Sequence, residues 1–432
     1  MDFSDIGVSD HLISNINLDG YKEPTEVQKK SIPAIYNKKD LLVKAQTGTG
    51  KTASFCLPII DMLIERRCPK KANSTQALIL APTRELAIQI YNKLSGYSRD
   101  TIVTSQVVYG GVKINPQMMK LRKGTHILVA TPGRLLDLFS QNAVKLSEVD
   151  FLVLDEADRM LDMGFIHDIK KILSYLPKQR QSLMFSATFS DNIKSLATSI
   201  CLNSVQNISI ATNKPVVSMI KHWIVPVDKK KKSLLLRKMI KMYEWDQLLV
   251  FIKTKASANK LVRFLHENNI KAMAIHGNKS QSARNTALEE FRVKNITVLV
   301  ATDVAARGID ISSLKQVINY DLPIVAEDYI HRIGRTGRAG KKGKAISFVA
   351  ADEIKELMNI ENLLQSLLPR EFVDGYEPRH DVPISKLSMK KKKIKKPKKP
   401  KSSSNLLEKG NISKGKSIKS IVQSKERKKS RY

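Results

Sequence analysis

Cysteine is scarce in this 432-residue chain: only Cys56, Cys68 and Cys201, odd in number and far apart. That excludes a disulfide framework and a CxxC zinc site, and it fits a reducing compartment, so a cytoplasmic location is expected. No run of about 18 uncharged apolar residues occurs, which rules out a membrane-spanning helix. The opening Met1-Asp2-Phe3-Ser4-Asp5 is acidic and has no apolar stretch, so no secretory leader is expected. Acidic residues are in deficit, 41 against 74 lysines and arginines, giving a formal net charge of +33 and a pI near 9.9. Such an excess asks for a polyanionic partner, nucleic acid or an anionic membrane surface. Hydrophobic residues make up 42%, which excludes a wholly disordered chain. The length is that of two or three domains, at about 150 residues each.

The charge is uneven. Residues 386–432 hold 19 lysines and arginines against Glu408 and Glu426, a net +17, and include Lys390-Lys391-Lys392-Lys393. Like charges so dense repel one another and cannot form a core, so this tail reads as disordered. It is either a sequence-blind binder of phosphates, each contact releasing counterions, or a solubilising extension. Tyr432 is its only aromatic, so base stacking there is a minor contribution.

Upstream, apolar runs at 41–43, 77–80, 127–130, 151–154, 182–185, 247–251, 297–300 and 316–319 alternate with helical patterns. This predicts α/β architecture with parallel sheets whose strands are buried on both faces. Ile127-Leu128-Val129-Ala130-Thr131 leads into Pro132-Gly133-Arg134, and Val298-Leu299-Val300-Ala301-Thr302 leads toward Arg307-Gly308. The repeat predicts two related domains, 1–210 and 218–370, joined by a polar linker at 211–217, with a basic tail at 371–432.

The first apolar run opens into Ala45-Gln46-Thr47-Gly48-Thr49-Gly50-Lys51-Thr52 and then a helical pattern. Ala45 departs from the general P-loop, which has glycine there. The remainder has a mechanism: glycines let backbone N–H groups cradle phosphates, Lys51 neutralises the β and γ phosphates, and the Thr52 hydroxyl holds Mg²⁺. The alternative is an ordinary Gly/Thr turn. The run at 151–154 ends in Asp155-Glu156-Ala157-Asp158. A carboxylate at the end of a buried strand can order Mg²⁺, and Glu156 beside it can orient and deprotonate a water. His331-Arg332-Ile333-Gly334-Arg335-Thr336-Gly337-Arg338 puts three arginines into eight residues. Arg335 and Arg338, three apart, share a face if they lie on one helical turn. They then serve as arginine fingers on a γ-phosphate or as contacts to a nucleic-acid backbone.

Taken together, these motifs resemble the DEAD-box ATP-dependent RNA helicases. The bacterial RhlE branch is matched through Asp158-Arg159-Met160-Leu161-Asp162-Met163-Gly164-Phe165-Ile166-His167-Asp168 and His276-Gly277-Asn278-Lys279-Ser280-Gln281. The likeness covers residues 1 to about 370, and Ala45 is the family's own form of the loop. It implies two tandem RecA-like domains, ATP and Mg²⁺ as cofactors, and a monomer. It also implies that Gln28 reads the adenine edge while Phe3 stacks on the base; an amide can donate and accept at once. Pro82, Thr83, Arg84, Gly110, Gly111, Thr131, Pro132, Gly133 and Arg134 resemble the first domain's RNA contacts. Thr254, Gln281, Arg284 and Thr302 resemble those of the second. Asp303, Arg307, Gly308 and Asp310 match the motif linking RNA to nucleotide across the cleft. Ser186, Thr188 and His331 match positions coupling hydrolysis to unwinding.

The resemblance thus implies an enzyme that unwinds short RNA duplexes or remodels RNA–protein complexes. An ATP-gated RNA clamp, in which strand separation is incidental, is the alternative. A DNA-directed motor is a third reading, set against by the motif around Gln28 and by Asp155-Glu156-Ala157-Asp158. Structured RNA, ribosomal or messenger, and ribosome-assembly or RNA-decay proteins are the partners the family implies.

Overall fold

The structure, a computed structural model, describes residues 2–45, 48–67, 69–201, 205–210, 220–306, 314–337 and 343–385. Gln46, Thr47, Arg307, Gly308, Asp310, Arg338, the linker 211–217 and the tail 386–432 lie outside the described residues.

Thirteen strands follow the chain among the described residues: β1 (Asp40–Lys44), β2 (Ala77–Leu80), β3 (Ser105–Val108), β4 (Ile127–Ala130), β5 (Phe151–Leu154), β6 (Gln181–Ser186), β7 (Val205–Ser209), β8 (Ile220–Pro226), β9 (Leu248–Phe251), β10 (Ala272–Ile275), β11 (Val298–Ala301), β12 (Gln316–Asn319) and β13 (Gly343–Val349). They form two parallel sheets, in the orders β3-β4-β2-β5-β6-β1-β7 and β10-β11-β9-β12-β13-β8. Each apolar run of the sequence becomes a strand because both its faces are covered. On the first sheet, Leu41, Val43, Ile79 and Val153 enter one core, and Leu42, Leu78, Leu80 and Leu154 enter the other. Every such side chain contributes about 1.5–3 kcal/mol by leaving water. The second sheet divides likewise, Leu248 and Val250 to one side, Leu249 and Phe251 to the other.

The two orders are the same over six strands, with β4 and β11 in equivalent places, so the duplicated Ala-Thr segments are one element used twice. Parallel strands all discharge at one end of their sheet, which is where ligands bind in α/β folds. The loops after β1, β5 and β6 therefore lie together, as do those after β3, β4 and β2. Residues 371–385 run over the second sheet: the Glu371 N–H donates to Ile224 O at 2.9 Å, the Arg379 N–H donates to Asp228 Oδ1 at 3.0 Å, and Val382 is buried. Among the described residues no helix is long and apolar enough to cross a membrane.

Candidate active site

The loop after β1 is held from behind. Gly50 has φ +93°, and a Cβ there would stand 2.6 Å from Gln28 Nε2, so only glycine fits. Gln28 lies in the helix Glu26–Tyr36; its Oε1 accepts the Thr25 N–H at 2.8 Å and its Nε2 donates to Gly50 O at 3.2 Å. The Ala45 N–H donates to Ser186 O at 3.0 Å, tying the loop to the end of β6. Lys51 opens the helix Lys51–Arg66, with Thr52 next. Its side chain is only 6% exposed, and its Nζ has no hydrogen-bond partner among the described residues. A buried ammonium with no acceptor is costly unless an anion completes it, and a phosphate group does so.

Asp155, at the end of β5, is buried, and its carboxyl is pushed up to about 6. Burial is the main cause; the Lys51 ammonium pulls the other way, and the Glu156 carboxylate adds to the rise. A divalent cation would hold Asp155 ionised, and a hydroxyl such as that of Thr52 is the kind of second hard oxygen such an ion prefers. Glu156 has φ +52° and ψ +51°, left-handed for a residue with a full side chain. Strain of about 1–3 kcal/mol at one residue is typical of functional sites. Its Oε2 lies 3.2 Å from Arg159 Nε as an ion pair, without a hydrogen bond. Asp158 Oδ2 accepts the Ala187 and Thr188 N–H groups at 2.9 and 3.1 Å. The Ser186 hydroxyl donates to Thr188 O at 2.8 Å, so it shapes the turn itself. The loop after β5 and the loop after β6 are thereby one hydrogen-bonded unit.

Phe3 is 2% exposed and sits in the first core, edge-on to Tyr21 at 6.4 Å. The stacking role expected of it needs a free ring face, which this placement does not offer. Gln28 is itself fully buried, its amide taken up by Thr25 and Gly50. Gln28→Ala should therefore raise KM for ATP by loosening Gly50, and if the amide also reads the adenine edge as expected, selectivity for ATP over GTP should narrow by about tenfold. Competition of the two nucleotides in a steady-state assay measures it; unchanged selectivity would place adenine reading elsewhere.

The loops after β2, β3 and β4 form a second cluster. Thr83 caps the helix Arg84–Tyr97, accepting the Leu86 N–H at 3.3 Å. Gly111 has φ +78°, and a Cβ there would overlap the Arg84 guanidinium, so this glycine and Arg84 occupy one surface. Arg134 Nη2 donates to Val112 O at 2.8 Å, while its Nε and Nη1 make no hydrogen bond. Thr131 is the N-cap of the helix Pro132–Ser140, which opens with Pro132 and Gly133, and a helix N-terminus of this kind suits phosphate. Gly110 adjoins open space.

On the second sheet, Thr254 caps the helix Lys255–Glu267, as Thr83 does on the first. Thr302 follows β11, its carbonyl accepting the Ala305 N–H at 3.0 Å. Gln281 and Arg284, expected as RNA contacts, instead meet Glu85 of the first domain. Arg284 Nη2 is 2.7 Å and Gln281 Nε2 3.4 Å from Glu85 Oε1. A guanidinium this deeply buried needs a carboxylate, and Glu85, inside the Pro82–Ala87 motif, was the signal that could have shown it.

The helix Ala326–Ile333 stops at Gly334, so Arg335 lies in the turn after it rather than on a helical face shared with Arg338. The Arg335 N–H donates to Arg332 O at 3.2 Å. Arg332 is buried, and it grips Asp303 with Nε and Nη2 at 2.6 and 2.7 Å. Arg159, Asp303, His331, Arg332 and Arg335 line one narrow crevice, which brings the arginine loop against the helix that starts after Glu156.

Residues 25–196 match the DEAD/DEAH box helicase family and 231–340 the helicase conserved C-terminal domain. The chain is 39% identical over 391 residues to the DEAD-box ATP-dependent RNA helicase CshA of Streptococcus pneumoniae, covering 90% of this chain and 74% of that one. This chain is a DEAD-box ATP-dependent RNA helicase. The CshA helicase of Listeria monocytogenes is 44% identical over 359 residues, 83% of this chain and 68% of its own. Dbp5 of S. cerevisiae, solved bound to RNA and ADP BeF3, superposes with a TM-score of 0.75 at 31% identity, covering 86% of this chain and 96% of that one. Both parallel sheets of this DEAD-box protein are therefore RecA-like helicase domains.

Proposed function

We propose that the chain binds RNA and uses ATP binding and hydrolysis to separate short duplexes and remodel RNA–protein complexes. The observation that carries this reading is Lys51, a buried ammonium with no acceptor of its own, beside Asp155 and Glu156 at one end of the sheet. ATP lies on the loop 45–52, its adenine near Gln28. Mg²⁺, held by the Thr52 hydroxyl and the Asp155 carboxylate, would neutralise phosphate charge. Glu156 orients a water and takes its proton, and Arg335 with Arg338 faces the charge that develops on the γ-phosphate. Asp303, Arg307, Gly308 and Asp310 link this site to RNA held by the loops after β2, β3, β4, β9 and β11. The Glu85–Arg284 pair ties the second domain to the first beside these loops. Domains run 1–210 and 218–370, and the protein works as a monomer in the cytoplasm, on structured ribosomal or messenger RNA. The likeness to the RhlE branch rests on 158–168 and 276–281, whereas the bacterial relatives named above are CshA proteins.

A short RNA duplex with a single-stranded extension tests the reading. Strand release with ATP and none with ADP is expected. Displacement of a bound protein without strand release would favour the clamp.

The tail 386–432 gives a separate expectation. Its removal takes away +17 of charge and no motif residue, so hydrolysis at saturating RNA should hold. Apparent RNA affinity should fall, and the dependence of log K on log salt should flatten by about 0.7 for each single-stranded phosphate that the tail neutralises. Sequence preference should not change, because lysines on phosphates read no base edges. Titrations of both forms across a salt series decide it; equal slopes would leave the tail a solubilising extension.

A further inference from the structure

The shared strand order gives each position round the first sheet a counterpart on the second. β8 takes the place of β1, and β12 that of β5. Lys232 stands six residues beyond the end of β8, as Lys51 stands seven beyond the end of β1. Asp321 follows β12 closely, as Asp155 follows β5. The two lysines differ in what they meet. Lys51 Nζ has no hydrogen-bond partner among the described residues. Lys232 is 1% exposed; it donates to Tyr320 O at 2.7 Å and Glu353 Oε2 at 2.6 Å, and stands 3.5 Å from Asp321 Oδ1. The second domain has filled the counterpart of the nucleotide site with carboxylates of its own.

Those carboxylates connect outward. Asp321 Oδ2 accepts the Lys253 N–H at 2.9 Å, immediately before Thr254. The Asp321 carbonyl accepts from Arg332 Nη1 at 2.6 Å, and Arg332 in turn grips Asp303. Glu353 Oε1 accepts the Leu322 N–H at 3.0 Å. The segment Tyr320-Asp321-Leu322 is therefore held by Lys232 on one side, the Thr254 loop on another and the arginine loop on a third. Without the ammonium, the half-buried Asp321 and Glu353 would lose the cation that lies between them, repel each other and separate. Asp321 could not then keep both the Lys253 N–H and Arg332 in register.

We propose that Lys232 is a positioning residue for RNA-dependent ATP hydrolysis: through Asp321 it sets the RNA-contacting loop at Thr254 and the arginine loop at Arg332–Arg335 to one common reference. This rests on the function proposed above. Arginine fingers act only when placed to within about 1 Å, and a misplacement of that size can cost about 10²-fold in rate.

The test compares ATP hydrolysis with and without saturating single-stranded RNA for wild type, Lys232→Met, Lys232→Arg and Glu353→Gln. In Lys232→Met the ratio of the two rates should fall about tenfold or more while KM for ATP holds, and Lys232→Arg, which keeps the charge, should recover part of the ratio. A wild-type ratio in Lys232→Met, or both rates falling by one factor as folded protein is depleted, overturns the proposal. Should Lys232→Met not fold, Glu353→Gln decides. Its neutral amide lets the ammonium draw Asp321 off the Lys253 N–H, so its ratio should also drop, and a wild-type ratio there overturns the proposal equally. Absence of RNA stimulation in the wild type would instead refute the proposed function itself.

Discussion

Lys51→Ala is expected to abolish measurable ATP hydrolysis, a loss of at least about 10²–10³-fold, without unfolding the protein. Removing one charged group aimed at a phosphate typically costs that much in rate. The fold should survive because Lys51 Nζ makes no hydrogen bond among the described residues, and its loss would only leave the Asp155 carboxyl easier to protonate. An unsatisfied buried polar group costs about 1–3 kcal/mol, so the nucleotide-free variant should melt no lower than wild type, and modestly higher if its neighbours relax into the space. Turnover and thermal melting together check this. Wild-type turnover would remove Lys51 from the phosphate site, and a collapse in melting temperature would make it a structural residue.

Glu156→Gln should separate binding from chemistry. The substitution keeps size and hydrogen-bonding capacity but removes the base, so turnover should fall about 10²–10⁴-fold. It also removes the carboxylate that helps raise the Asp155 carboxyl, so Asp155 should ionise more readily, not less. ATP and RNA should still bind, and the RNA complex formed with ATP should last longer than that of wild type. Single-turnover hydrolysis and RNA dissociation in ATP measure the two halves. Loss of ATP binding would show that Glu156, with its left-handed backbone and its Arg159 neighbour, shapes the loop instead.

Local pattern carried much of this into the sequence. β2, β4, β5 and β9 are continuous apolar runs because both faces are covered, and such runs are legible. β3 and β7 sit at the edges, are partly exposed and mix polar with apolar residues, so they leave no comparable trace. The nucleotide loop and Asp155-Glu156 are legible for the same reason, each being short in sequence and tied to a strand end. What joins them is not local. Asp158 meets Ala187 and Thr188, Glu85 meets Arg284, and Lys232 meets Glu353 only after the chain has folded. The three-residue spacing of Arg335 and Arg338 misled because it presumes a helix, and the helix ends before Arg335 at Gly334.

The most direct measurement is the ATP hydrolysis rate of the purified full chain, alone, with single-stranded RNA and with DNA of the same sequence. Hydrolysis should be slow alone, rise several-fold with RNA to a saturable plateau, and stay near the unstimulated rate with DNA. A rate indifferent to RNA, or raised equally by DNA, would contradict an ATP site coupled to RNA through Glu156, Asp158 and the arginine loop.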